Sequence, residues 1–159
     1  MKGKPLIVLT GPTASGKTDL SLKLAKLVNG EIISADSMQV YKKMNIGTAK
    51  IKDDEKLGIP HYLIDEFEPD EEFNVVLFCQ KAKYYIDQIY KKNKIPIITG
   101  GTGFYIQALL KEVDFKIEDG DQKYRNKLTK IAEQQGVLAL HQLLHSVDPE
   151  SAKSIHQNN

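Results

Sequence analysis

Cysteine is almost missing from this chain: Cys79 stands alone among 159 residues. That excludes an internal disulfide and leaves no thiolate set for a structural metal site. Such usage fits a reducing compartment, and a cytoplasmic location is expected. Charge of one sign is also missing, with 22 Lys plus Arg against 21 Asp plus Glu and a net charge of +1. The composition therefore carries no global footprint of a nucleic-acid or membrane partner, and any such partner has to be recognised locally. Long hydrophobic runs are absent. The apolar stretch Leu6 to Leu9 is too short for a secretory signal, and nothing approaches membrane length, so no membrane contact is expected. Internal repeats and low-complexity segments are lacking too. With 41% hydrophobic residues the chain can bury a single-domain core with room for an appendage, and a monomer is expected.

What is present is organised around Gly11-Pro12-Thr13-Ala14-Ser15-Gly16-Lys17-Thr18. These residues fit the phosphate-binding pattern G-x-x-x-x-G-K-[ST] without a mismatch. The apolar, β-branched run Leu6 to Thr10 before it reads as a strand buried on both faces. Leu20, Leu24, Leu27 and Val28 after it form the stripe of a helix packed on a sheet, stopped at Asn29-Gly30. Between strand and helix, Gly11 and Gly16 let backbone N–H groups turn inward, and the helix start adds partial positive charge. Lys17 can then reach outer phosphates, and the Thr18 hydroxyl can join a magnesium shell. The loop alone does not say whether it holds a nucleotide such as ATP or another diphosphate.

Further along, Glu31 to Ala35 reads as a second strand ending at Asp36, and a right-handed crossover brings Asp36 to the edge that carries the phosphate loop. Ser37 to Lys43 shows no periodicity, and Gly47-Thr48-Ala49-Lys50 reads as loop. Tyr62-Leu63-Ile64 is an edge-strand candidate after Pro60. From Asp65 to Glu72 six of eight residues are acidic, which reads as a solvated loop. Asn74 is placed to cap a long helix with Cys79, Ala82, Ile86 and Ile89 on one face and Lys81, Lys83, Lys91 and Lys92 mostly on a solvent face. Ile95 to Thr99 forms another strand, Gly100-Gly101-Thr102-Gly103 a second glycine-rich turn, and Phe104, Ala108 and Leu109 begin a helix behind it. After Val113 only helical patterns occur: one marked by Tyr124, Leu128, Ile131 and Ala132 and stopped by Gly136, a second over 137–144, and a third opened by Asp148-Pro149. The expected architecture is α/β, a phosphate-loop core with a parallel sheet over 1–114 and a helical appendage over 115–159.

Three groups should meet at one sheet edge: the phosphate loop, Asp36 and the Thr102 hydroxyl. A diphosphate cradle, a carboxylate and a hydroxyl suffice for a group transfer in which phosphate is cargo or leaving group. Asp36 would be the general base, or a turn-forming aspartate after a strand. Thr102 would touch the substrate, or cap the helix that follows. Asp65 is open to a magnesium-binding role of Walker B type as well as to the solvated acidic loop.

The motif set Gly11 to Thr18, Asp36-Ser37-Met38-Gln39-Val40-Tyr41-Lys42, Gly47 to Lys50, Gly58-Ile59-Pro60-His61 and Gly100-Gly101-Thr102-Gly103-Phe104-Tyr105 resembles, in order, that of the tRNA dimethylallyltransferases, also called tRNA isopentenyltransferases. The resemblance covers essentially the whole chain and would make it the front half of a family member. It implies a phosphate-loop NTPase-like core interrupted by a helical insertion that grips the tRNA anticodon stem-loop, with 115–159 as the beginning of that insertion. It also implies transfer of a dimethylallyl group from dimethylallyl diphosphate to the exocyclic amine of the adenosine on the 3′ side of the anticodon. In that scheme Gly11 to Thr18 hold the diphosphate, Lys17 and a magnesium ion on Thr18 stabilise its charge, and Asp36 takes the amine proton. Thr102 contacts donor or tRNA, Asp36, Ser37, Met38 and Gln39 line the adenosine, and Arg125 contacts tRNA. Two rivals use the same loop. A small-molecule kinase would bind ATP there but should carry an arginine-bearing lid, and Arg125 is the only arginine. A nucleotide switch would leave the Gly100 to Gly103 turn unexplained.

Overall fold

A computed structural model describes residues 3–111 and 122–158. They fall into two compact units, one within 1–114 and the other within 115–159. The first contains β1 (Ile7–Thr10), α1 (Lys17–Val28), β2 (Gly30–Ser34), β3 (His61–Tyr62), α2 (Val75–Lys91), β4 (Ile95–Gly100) and α3 (Gly103–Leu110). Its four strands form one parallel sheet in the order β1-β4-β2-β3. Thr10 pairs with Gly100 and Ser34 with Thr99, so the carboxyl ends of β1, β2 and β4 lie side by side at one edge. Parallel strands joined by helical crossovers place their outgoing loops together at such an edge.

β2 is buried along its whole length, as a central strand covered on both faces must be. Ile32 and Ile97 pack with Leu22, Ala25, Ile51 and Ile59 on the α1 side. Side chains alternate along a strand, so Ile33 and Ile98 serve the opposite face, where α2 contributes Phe78, Ala82, Ile86 and Ile89. The Phe78 ring stacks on Tyr105 of α3 with centroids 4.9 Å apart. Asn74 caps α2 as expected, its side chain accepting from the Val76 and Leu77 N–H groups.

Several expectations need correction. β1 is only half-buried, because among the described residues it is an edge strand with β4 as its single neighbour. The inward face of α1 is Ser21, Leu22 and Ala25, with Leu24 and Val28 partly packed, while Leu20 is exposed and Leu27 is 83% exposed. Leu22 and Ala25 join the core cluster, and the buried Ser21 hydroxyl is satisfied by the Thr18 carbonyl at 2.7 Å, so a polar residue can sit on the inward face. In α3, Tyr105, Ile106, Ala108 and Leu109 are buried and Phe104 faces out. The edge strand is His61–Tyr62, shorter than Tyr62 to Ile64, since Leu63 already adopts a left-handed backbone (φ 60°). Lys92 is not simply part of a solvent face: its ammonium donates to Glu31 at 2.9 Å and to the Tyr62 hydroxyl at 2.8 Å.

The second unit contains α4 (Gln122–Gln135), α5 (Val137–Val147) and α6 (Pro149–Ser154). Asp148 opens α6 by accepting from the Ser151 N–H at 3.0 Å, with Pro149 in its first turn. Val113, where the change of texture was expected, lies outside the described residues. Among those described, no helix is long and apolar enough to cross a membrane.

Candidate active site

The loops at the carboxyl edge of the sheet enclose a cleft of about 900 Å³. Pro12 to Thr18, Asp36 to Gln39, Thr99 to Thr102 and part of 44–51 line it. The three groups expected to meet therefore share one cavity.

The phosphate loop takes the shape its glycines permit. Gly16 is left-handed (φ 78°) and open around its Cα, as is Ala14 (φ 63°), and α1 starts immediately after. No side chain caps α1, so its first N–H groups remain available to an anion in the cleft. Lys17 bends back over the loop, its ammonium donating to the Pro12 carbonyl and approaching the Ser15 hydroxyl at 3.4 Å. Thr18 is exposed and lines the same cleft.

Asp36 follows β2 directly. Its Oδ1 accepts from the Met38 N–H at 2.9 Å and the Gln39 N–H at 3.2 Å. The turn-forming reading is thus part of what Asp36 does, and it leaves Oδ2 without a protein donor among the described residues. Thr102 occupies the cap position of α3, but its hydroxyl caps nothing there; it accepts from the Ser37 N–H at 3.3 Å. That bond joins the Asp36 turn to the second glycine-rich turn. Two more reinforce it, from the Ala35 N–H to the Thr99 carbonyl at 2.7 Å and from the Thr102 N–H to the Ala35 carbonyl at 3.2 Å. Gly100 makes the approach possible, since a Cβ there would lie 2.2 Å from the Ala35 oxygen.

Met38 is exposed toward the cleft and Ser37 is half-buried. Gln39 lines the cleft as expected, and both ends of its amide are also engaged within the protein. Its oxygen accepts from the Ser34 hydroxyl at 3.2 Å, and its nitrogen donates to the Thr48 carbonyl at 3.0 Å and the Ala49 carbonyl at 3.3 Å. Asp65 does not stand free to meet a metal: its Oδ1 accepts from the Lys50 ammonium at 2.6 Å. Arg125 is exposed on α4 of the second unit.

Sequence reasoning singled out no role for His61, which lines the cleft. Its Nδ1 donates to the Ile59 carbonyl at 2.8 Å. Burial lowers its pKa, the bond to Ile59 opposes that, and the Lys56 charge adds to the lowering. Its only signal in the sequence is its place after Gly58-Ile59-Pro60. Ile46, fully exposed at the cleft rim, gave no signal at all.

The IPP transferase family model matches residues 39–159, and the isopentenyl transferase model matches residues 4–71. A tRNA dimethylallyltransferase of Lachnoclostridium phytofermentans is 60% identical over 156 residues, covering 98% of this chain and 50% of that protein. Among solved structures, the tRNA isopentenylpyrophosphate transferase of Bacillus halodurans superposes with a TM-score of 0.71 at 44% identity, over 98% of this chain and 52% of the other. A eukaryotic dimethylallyltransferase acting on tRNA gives a TM-score of 0.81 at 35% identity, over 98% of this chain and 39% of the other. The chain spans about half the length of the curated relatives it matches.

Proposed function

The chain belongs to the IPP transferase family, and on that premise we propose that it carries the donor side of a tRNA dimethylallyltransferase. A dimethylallyl group passes from dimethylallyl diphosphate to the exocyclic amine of the adenosine 3′ to the anticodon. The amine nitrogen bonds to the allylic carbon, the carbon–oxygen bond to diphosphate breaks, and the amine proton passes to Asp36. One observation carries this reading: the phosphate loop and a carboxylate with one oxygen fixed and the other free face the same cleft. An adenine amine is a weak nucleophile and needs a base placed beside it, while the leaving diphosphate needs fixed positive charge. The loop N–H groups and Lys17 supply that charge.

The site fits a magnesium ion that arrives with the diphosphate. Among the described residues no group of three His, Cys, Asp or Glu could hold a metal, and Asp65 is taken by Lys50. Thr18 would therefore share the ion with diphosphate oxygens and water. When bound, it would supply further stabilisation of the leaving group. Ser37, Met38 and Thr102 would contact the adenosine or the donor, and Arg125 the tRNA. Turning a loop base into the cleft costs little compared with opening a duplex. A cytoplasmic monomer belongs to the same proposal. The kinase reading loses ground, because the curated relatives, 52–60% identical over nearly the whole chain, are tRNA dimethylallyltransferases.

Titrating the purified 159-residue chain with labelled dimethylallyl diphosphate, ATP and an anticodon stem-loop tests this. Donor binding with negligible stem-loop binding and no transfer is expected, since RNA affinity sums many phosphate and stacking contacts. In a chain of the relatives' full length, Asp36→Asn should keep donor binding and slow single-turnover transfer about a hundredfold. Preference for ATP with phosphoryl transfer to a small hydroxyl compound would replace the reading by the kinase.

A further inference from the structure

Gly47, Thr48 and Ala49 line the cleft without a part in the chemistry above, and together with Lys50, which does not line it, they form a heavily cross-bonded stretch. The Lys50 side chain is only 4% exposed. Its ammonium has three acceptors: the Tyr41 carbonyl at 2.7 Å, Asn45 Oδ1 at 3.1 Å and Asp65 Oδ1 at 2.6 Å. A buried ammonium is tolerated only when its N–H groups are bonded and its charge is paired, and here all three donors are used. The backbone it ties together is unusual. Lys43, Gly47, Ala49 and Asp65 all have positive φ, of 63°, 80°, 48° and 55°. Non-glycine residues hold such conformations only where their surroundings over-determine them.

The same segment is fastened to the catalytic side. Thr48 closes it by donating to the Met44 carbonyl at 2.7 Å. Gln39 holds the Thr48 and Ala49 carbonyls with its amide nitrogen, while its backbone N–H donates to Asp36 Oδ1. One glutamine therefore touches both the cleft wall and the carboxylate.

We infer that Lys50 is a positioning residue: its buried ammonium latches residues 41–50 as a rigid wall of the cleft, and through Gln39 that wall sets the Asp36 carboxylate. The kinetic arm of the test rests on the transfer reaction proposed above; the structural arm does not. Lys50→Met keeps the length of the side chain and removes the donors, and Asp65→Asn removes the charge from the partner with less risk to folding. In the 159-residue chain, Lys50→Met should speed amide hydrogen exchange at Lys42 and Asp65, whose N–H groups donate to the Phe67 and Gln39 carbonyls, at least about tenfold while β2 and β4 are unchanged. In a chain of the relatives' full length, with kcat referred to the concentration of donor-binding sites so that loss of folded protein does not count, both variants should lower kcat about tenfold or more and leave the donor KM within about twofold. The double variant should be no worse than Lys50→Met, because both residues form one latch. Unchanged exchange at Lys42 and Asp65, faster exchange with unaltered kcat, or fully additive losses in the double variant would each overturn the inference. Absent transfer by the parent protein, with the exchange result as expected, would refute the transfer reading and support the latch.

Discussion

Replacing Gly100 by alanine should damage this protein far more than one methyl group implies. Gly100 has an ordinary backbone conformation, so the residue type is not demanded by φ. What forbids a side chain is space: the added Cβ would lie 2.2 Å from the Ala35 oxygen, 2.5 Å from its carbonyl carbon and 2.9 Å from its Cα. All three are backbone atoms, so no rotamer change relieves the clash, and β4 and the end of β2 have to separate by about 1 Å to reach ordinary contact. The contact is bracketed by the Ala35-to-Thr99 and Thr102-to-Ala35 hydrogen bonds. Overpacking of about 1–3 kcal/mol, with about 1 kcal/mol for partial weakening of two bonds that each contribute about 0.5–1.5 kcal/mol, gives a loss of about 2–4 kcal/mol. The unfolding midpoint should then fall by about 5–15 °C. Because the same contact sets Thr102 against the Asp36 turn, a displacement of about 1 Å should also slow transfer by about a hundredfold. Gly103→Ala is the control: Gly103 has open space around it and ordinary φ, so alanine should stabilise by about 0.4–1 kcal/mol. Thermal unfolding of both variants decides the matter. A Gly100→Ala protein melting within about 1 °C of its parent would refute the reasoning.

Lys17→Ala should weaken diphosphate binding and transfer together, because the charge it removes acts on the leaving group; calorimetric titration with inorganic diphosphate that matches the parent would dismiss the cradle assignment. Glu31→Gln tests the buried cluster at the opposite edge of the sheet. Burial pushes the Glu31 carboxyl up, but hydrogen bonds from Tyr62, Lys94 and Lys92 outweigh it and hold the pKa below the ordinary 4.5. A lowered pKa in the fold means stability that is complete above the unfolded value and lost as pH falls through the folded one. The variant should therefore be less stable than its parent by about 1–3 kcal/mol at pH 7, and the gap should start to close below about pH 4.5. A gap that is constant between pH 7 and pH 3 would show that the charge on Glu31 is irrelevant.

The sequence by itself determined a great deal here. A phosphate loop between an apolar run and a helix, an aspartate closing the second strand, and a glycine-rich turn closing another are local patterns. Parallel crossover topology converts them into one site, because every such strand ends at the same edge. The caps at Asn74 and Asp148 were equally legible, since a capping side chain bonds to N–H groups two or three residues away. Orientation and long-range polar pairing were not legible. The inward face of α1 carries Ser21, Leu22 and Ala25 while Leu20 and Leu27 are exposed, a choice made by the sheet it packs on. Glu31 looked like one polar residue at a strand start, yet it is 2% exposed and held by Lys92 and Lys94, some sixty residues away along the chain. Asp65 is an exposed acid, as its acidic run suggested, but its pairing with Lys50 left no local trace, and neither did the bonds from the Gln39 amide to Thr48 and Ala49. Periodicity and capping act within a few residues and leave a trace in the local sequence. A buried ammonium chooses its carboxylate only after the chain has closed around both, so tertiary structure alone decided those partners.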